Sequence, residues 1–170
     1  TSRRQRQMCI RDRIKFEVKM FQLPIRTLDS KHSTGSSELG QLPDWNLNDL
    51  YTATDAKELI RDLNWLEKEC NAFAKSYEGK LHTLSDKEML TCIVRNEKIS
   101  SISGRIISYA GLLYYQKTTD ADRAKFLSDM QEKITVFTTK LVFFSLEINS
   151  LEDEFLDKLF TKNDQLARYK

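Results

Sequence analysis

The sequence predicts an all-α protein: an antiparallel array of three long helices plus a shorter fourth, with an extended N-terminal segment docked on it. Three observations carry this. Both prolines, Pro24 and Pro43, fall in the first quarter, so the 127 residues that follow contain no residue that deletes a helical hydrogen bond. Apolar residues then recur at spacings of three and four over long runs, the period of one helical face. Start and stop signals separate those runs.

The first ordered element is the extended segment LPDWNLNDLY, residues 42–51. A connecting stretch rarely spends Trp45, Leu47, Leu50 and Tyr51 on solvent. Burying each large apolar side chain is worth about 1.5–3 kcal/mol, enough to hold an irregular strap in a groove between helices. Trp45→Ala is accordingly expected to cost about 3–5 kcal/mol.

The first helix is predicted over residues 55–77. Asp55 with Glu58 resembles an acidic capping box, the stripe is Leu59, Leu63, Leu66, Cys70, Phe73 and Tyr77, and Gly79 supplies a left-handed stop. The second opens on the S-x-x-E box of Ser85 and Glu88 and carries Met89, Ile93, Ile99, Ile102, Ile106, Tyr109 and Leu113. Gly104 within it costs about 1 kcal/mol relative to alanine. With Ser100, Ser101, Ser103 and Ser108 nearby, it points either to close approach by a neighbouring helix or to a mild bend.

The third helix starts at a Thr119 N-cap with Asp122 three residues on. Ala124, Leu127, Met130, Ile134, Phe137, Leu141, Phe144 and Ile148 then make one stripe of about thirty residues, about 45 Å long. Ser150 with Asp153 starts the fourth, which carries Leu151, Phe155, Leu159 and Phe160. TKNDQLARYK begins a further element, and its abrupt stop at Lys170 reads as truncation.

The chain length of 170 residues fits one domain able to bury a core without staples. The net charge of +2 conceals a division. Residues 1–41 carry 9 Lys/Arg and 4 Asp/Glu, while residues 42–170 carry 18 and 21. The basic excess therefore belongs to the leader, and no nucleic-acid footprint on a folded face is expected. Cys9, Cys70 and Cys92 form no C-x-x-C pair or disulfide framework, which suits cytoplasm. No secretory h-region or 18-residue apolar run is visible; LVFFSLEI, residues 141–148, is short and contains Glu147. No membrane partner is expected.

The leader, residues 1–41, is expected to be disordered, and its first thirteen residues have no helical or strand period. TSRRQRQMCIRDR, residues 1–13, reads either as a basic arm or as translated sequencing-adapter read-through, which would make Met20 a candidate start. Residues 14–25 alternate like a short strand, and residues 29–41, with His32, form a Ser/Gly-rich linker.

Catalytic chemistry is sparse. There is no H-E-x-x-H, phosphate loop or G-x-S-x-G, and His32 and His82 lie fifty residues apart. Cys70 and Cys92 sit in helical stripes, where buried inert thiols are expected rather than a nucleophile paired with His82. Glu67 with Glu69, and the run Glu152, Asp153 and Glu154, read as solvated faces or first turns. Glu147 stands out among large apolar neighbours, as an interhelical ion pair with Arg105 or Arg123, a channel-facing carboxylate, or the wet edge of the stripe. No catalytic, cofactor-binding or metal-ligating residue is assigned within the chain.

Residues 42–81 resemble the opening of the oligoendopeptidase F family: a Trp-x-Leu-x-x-Leu-Tyr segment (Trp45, Leu47, Leu50, Tyr51), then a long helix ending in a Tyr-x-Gly-Lys turn (Tyr77, Gly79, Lys80). ISYAGLLYYQKTTD and LVFFSLEINSLEDEFL are similar to that family's middle helices, with Tyr109, Ala110, Asp120, Phe144 and Glu147 at matching places. The resemblance implies the N-terminal helical lobe of a cytoplasmic, mostly bacterial zinc metallopeptidase that cuts short peptides. Zinc, held by H-E-x-x-H and a later Glu, would belong to a C-terminal catalytic lobe lying outside this chain. That lobe and short peptides are then the expected partners, and the fragment alone is expected to be no enzyme. The other class in play is a stand-alone α-helical interaction or adaptor module, binding partner helices through Phe/Tyr-rich stripes.

Overall fold

The computed structural model describes residues 45–169, so the readings of residues 1–44 and of Lys170 lie outside the described residues. Among the described residues 78% are helical and none is in a strand. The all-α expectation holds.

Helix α1 (Lys57–Tyr77) begins at Ala56, which makes no side-chain cap bond; Asp55 and Glu58 do not form the expected box, and Glu58 simply sits in the first turn near the positive helix end. The stop is the predicted one. Gly79 has φ of 74°, a conformation that costs glycine nothing. A one-turn 3₁₀ helix follows over Leu81–Thr83 and buries Leu81. Helix α2 (Asp86–Gln116) then opens on the predicted capping box. The Glu88 amide donates to Ser85 Oγ at 3.4 Å, and the Ser85 amide donates back to Glu88 Oε2 at 2.9 Å. The Ser85 hydroxyl also donates to Glu88 Oε2 at 2.7 Å, and this bond first, then that of the Ser85 amide, holds the Glu88 carboxyl below its usual range.

Helix α3 (Ala121–Thr139) is capped by Asp120 instead of Thr119: its Oδ1 accepts from the Asp122 and Arg123 amides at 3.2 and 3.3 Å. A carboxylate does this better than a hydroxyl because it also answers the helix dipole.

The single thirty-residue helix expected next is in fact two. Helix α3 stops at Thr139, and α4 (Val142–Ser150) starts after a tightened turn in which the Leu141 amide donates to Thr138 O at 2.8 Å. No glycine or proline marks the break. Instead the hydroxyls of Thr135, Thr138 and Thr139 donate to the carbonyls of Gln131, Ile134 and Thr135 at 2.8, 2.8 and 2.7 Å. Such back-bonding competes with the backbone ladder and bends helices. The break also turns Phe143 and Phe144 onto Phe73, at centroid distances of 6.1 and 5.6 Å.

The predicted fourth helix and the further element expected after it both form, as short helices. Helix α5 (Asp153–Lys162) follows Glu152, while the Ser150 hydroxyl, the expected cap, donates to Glu147 O at 2.7 Å. Helix α6 (Asp164–Ala167) is capped by Asn163, whose Oδ1 accepts from the Gln165 amide at 3.0 Å.

The core is the predicted stripes facing one another. Leu59, Leu66, Cys70 and Phe73 from α1 meet Met89, Cys92, Ile99 and Ile106 from α2, with Met130 and Ile134 from α3. Polar contacts between α1 and α2 join Asp62 to Arg105 and Glu69 to Arg95, so residue numbers rise on one helix as they fall on the other. Between α2 and α3, Tyr109 stacks edge-on to Phe126 at 6.1 Å, and Arg123 Nη1 donates to Leu113 O at 2.9 Å. Gly104 has nothing within 4 Å of where a Cβ would stand, which removes the close-approach reading. Among the described residues no helix is long and apolar enough to cross a membrane.

The segment before α1 contradicts one expectation. Tyr51 is buried at 3% exposure, and Leu47 and Leu50 pack partly against the core, but Trp45 is 56% exposed. Only the Trp45 carbonyl is held, accepting from Gln116 Nε2 at 2.7 Å. Trp45 thus meets α2 through its backbone, while its side chain stays mostly exposed.

Candidate functional site: two polar clasps

The most deeply placed polar group among the described residues is Asp62, 5% exposed on the inner face of α1. Its Oδ2 accepts from the Tyr51 hydroxyl at 2.9 Å and from Arg105 Nη2, while Oδ1 accepts from Arg61 Nε and Nη2, both at 3.3 Å. Arg105 Nε also donates to the Tyr51 oxygen at 3.0 Å, and its guanidinium lies 5.1 Å from the Tyr51 ring centroid. Tyr109 closes the pocket edge-on to Tyr51 at 5.4 Å. A buried carboxylate is tolerable only when its lone pairs are met, and here they are.

Burial raises the Tyr51 pKa to about 12, and the bond to Asp62 adds to it against the opposing pull of Arg105. The phenol is therefore a fixed hydrogen-bond donor at physiological pH and not a base. This clasp joins three elements: the pre-helical segment, α1 and α2.

The second clasp lies toward the other end of α1. Glu147, on α4, accepts from the Gly79 amide at 2.6 Å and from the Leu81 amide at 3.4 Å. The glycine conformation points both amides the same way, and the carboxylate fills that small nest. Beside it Arg95 donates to Glu69 Oε1 at 2.7 Å and to the Tyr77 hydroxyl at 3.4 Å, with its guanidinium over the Phe73 and Tyr77 rings at 5.7 and 5.4 Å.

The ion-pair reading of Glu147 thus fails in both its forms. Arg105 is taken by Asp62, and Arg123 by Asp120, the Leu113 carbonyl and Gln116 Oε1. Glu69 is no idle surface acid but half of an interhelical pair. His82 is exposed. Cys70 and Cys92 are buried free thiols whose pKa values burial pushes up to about 11 and about 12, so neither is a nucleophile at neutral pH. Asp62 was missed by the sequence reading. Its signal was there: an acid between Leu59 and Leu66 on the buried stripe, and an arginine between Ile102 and Ile106.

Among the described residues no group of three or more His, Cys, Asp or Glu is gathered so as to hold a metal ion. The described residues do not form a zinc site, and the polar groups of both clasps are taken up in contacts between elements. What the fold and these contacts define is an all-α protein whose polar chemistry is spent on fastening elements together. No family model, curated protein or solved structure matches the chain.

Proposed function

We propose that the chain is the N-terminal, substrate-enclosing helical lobe of a cytoplasmic zinc metalloendopeptidase similar to oligoendopeptidase F, an antiparallel helical array strapped by residues 47–51 and acting on short peptides. The catalytic H-E-x-x-H region and its zinc would be supplied by polypeptide outside this chain. The observation that carries the reading is where the family-like residues fall. Tyr51 and Tyr109 belong to the first clasp, and Tyr77, Gly79 and Glu147 to the second or its edge. Residues shared with a family for scaffold reasons belong at such junctions.

The test is the reading frame past Lys170 together with its product. A frame that continues into H-E-x-x-H, whose full-length product hydrolyses short peptides and loses that activity to a chelator, is the expected result. The 170-residue chain alone should show neither stoichiometric zinc nor hydrolysis. Chelator-sensitive hydrolysis by that chain alone would overturn the proposal. A stop codon directly after Lys170 would favour the adaptor reading, for which exposed Val136, Val142 and Leu146 offer apolar contact.

A further inference from the structure

The junction between α3 and α4 is bent with no glycine or proline in it, the local bias coming from the back-bonding hydroxyls of Thr135, Thr138 and Thr139. The apolar period runs through it unbroken, from Phe137 to Leu141, Phe144 and Ile148. Lys140 has helical dihedrals of −67° and −13°. Apart from those hydroxyls, the local pattern is that of one helix. Long-range contacts hold it as two. Phe143 and Phe144 lie on Phe73, Glu147 on the Gly79 and Leu81 amides, and Lys140 Nζ on Asn71 Oδ1.

Everything beyond the junction folds back on α1 and α2. Phe144, Ile148, Leu151, Leu159 and Leu166 are all core residues, and the end of the limb is pinned by Tyr169 and Arg168 on Glu97. If α3 and α4 fuse, this limb swings away and uncovers five core side chains. A lone molecule would lose a share of its burial comparable with its whole stability. A second copy in the same state offers an identical surface and restores every contact.

We propose that the α3–α4 junction is an exchange hinge, and that two copies of this chain pair by trading the α4–α6 limb. The hinge has the ingredients such exchange needs: a short connection under competing demands, and a limb that docks by self-complementary contacts. The partner is a second copy and the interface is the one the monomer already makes with itself. The inference stands apart from the peptidase reading, since it concerns only how this chain packs.

The experiment changes local helix preference and leaves the core alone. Thr135→Ala/Thr138→Ala/Thr139→Ala removes the back-bonding hydroxyls and favours one continuous helix. It should raise the dimerisation constant about tenfold over the parent after refolding at high concentration, read by analytical ultracentrifugation. Lys140→Gly makes the break intrinsic and should move the equilibrium the other way. Topology is read in a Cys9→Ser background by adding Glu97→Cys and Arg168→Cys and bridging them with a short bis-maleimide. An exchanged dimer is linked between chains, so it runs as a dimer on a denaturing gel. A triple variant that stays monomeric, a dimer bridged only within each chain, or a Lys140→Gly variant that pairs as well as the triple variant would each overturn the proposal.

Discussion

The two clasps use the same kind of group, a carboxylate, in opposite ways. Asp62 is sealed in the helix seam and surrounded by side chains: a phenol and two arginines. Glu147 lies at the margin and grips main-chain amides of a glycine turn. A buried carboxylate depends on its partners because water cannot replace them, whereas amides at the surface can turn to solvent when their acceptor is lost. The contrast teaches that the energy at stake follows burial and not the number of hydrogen bonds drawn.

The largest effect should come from Asp62→Ala. It strands the Tyr51 hydroxyl and the inner face of Arg105. Because the Arg105 side chain keeps 39% exposure, the cost should fall at the low end for a broken buried pair, about 3 kcal/mol in urea unfolding. A loss no greater than that of Glu147→Ala would erase the contrast.

Alkaline titration sharpens it. The Tyr51 proton is held more tightly in the folded chain, with a pKa of about 12 against 10.0 for the free side chain. Its contribution to stability is thus complete below pH 10 and lost as pH climbs towards 12. Tyr51→Phe should flatten the decline of the urea midpoint across that window, relative to the parent chain. Equal slopes would mean that Tyr51 is not the group that titrates.

Glu147→Ala should cost about 1 kcal/mol, the size of a lost helix cap. Hydrogen exchange at the Gly79 and Leu81 amides should rise with it, and exchange near Asp62 should not. Smaller still, Trp45→Ala should cost less than about 0.5 kcal/mol, the range of exposed sites. A loss of about 3 kcal/mol would put the indole back in the groove that the sequence reading expected. Gly104→Ala, one residue from Arg105 and with open space for its methyl, should add about 0.5–1 kcal/mol.

Much of the first half was legible because local and global demands agree there. The Ser85–Glu88 box, the left-handed Gly79 and the α1 and α2 stripes are decided within a few residues of themselves. The break after Thr139 was not, because the threonine hydroxyls only bias it and the contacts that fix it are distant in sequence, Glu147 meeting the Gly79 and Leu81 amides 68 and 66 residues away. Trp45 misled for a related reason. Hydrophobic content says that a side chain favours burial, but not that a short segment can reach a groove with all four of its large residues. Of the clasps, Glu147 was visible as an oddity with the wrong partners proposed, and Asp62 was hidden beside Leu63, which fitted the stripe equally well. A sequence shows which residues need partners more readily than which partners they find.

The paired placement of Cys70 and Cys92 has a practical consequence. Each sulfur is sealed at the joint where α1 meets α2, with no solvent contact. In a Cys9→Ser background, a maleimide dye can reach either one only after that joint parts. The speed of dye uptake therefore clocks the opening of the molecule, with no label added to its surface.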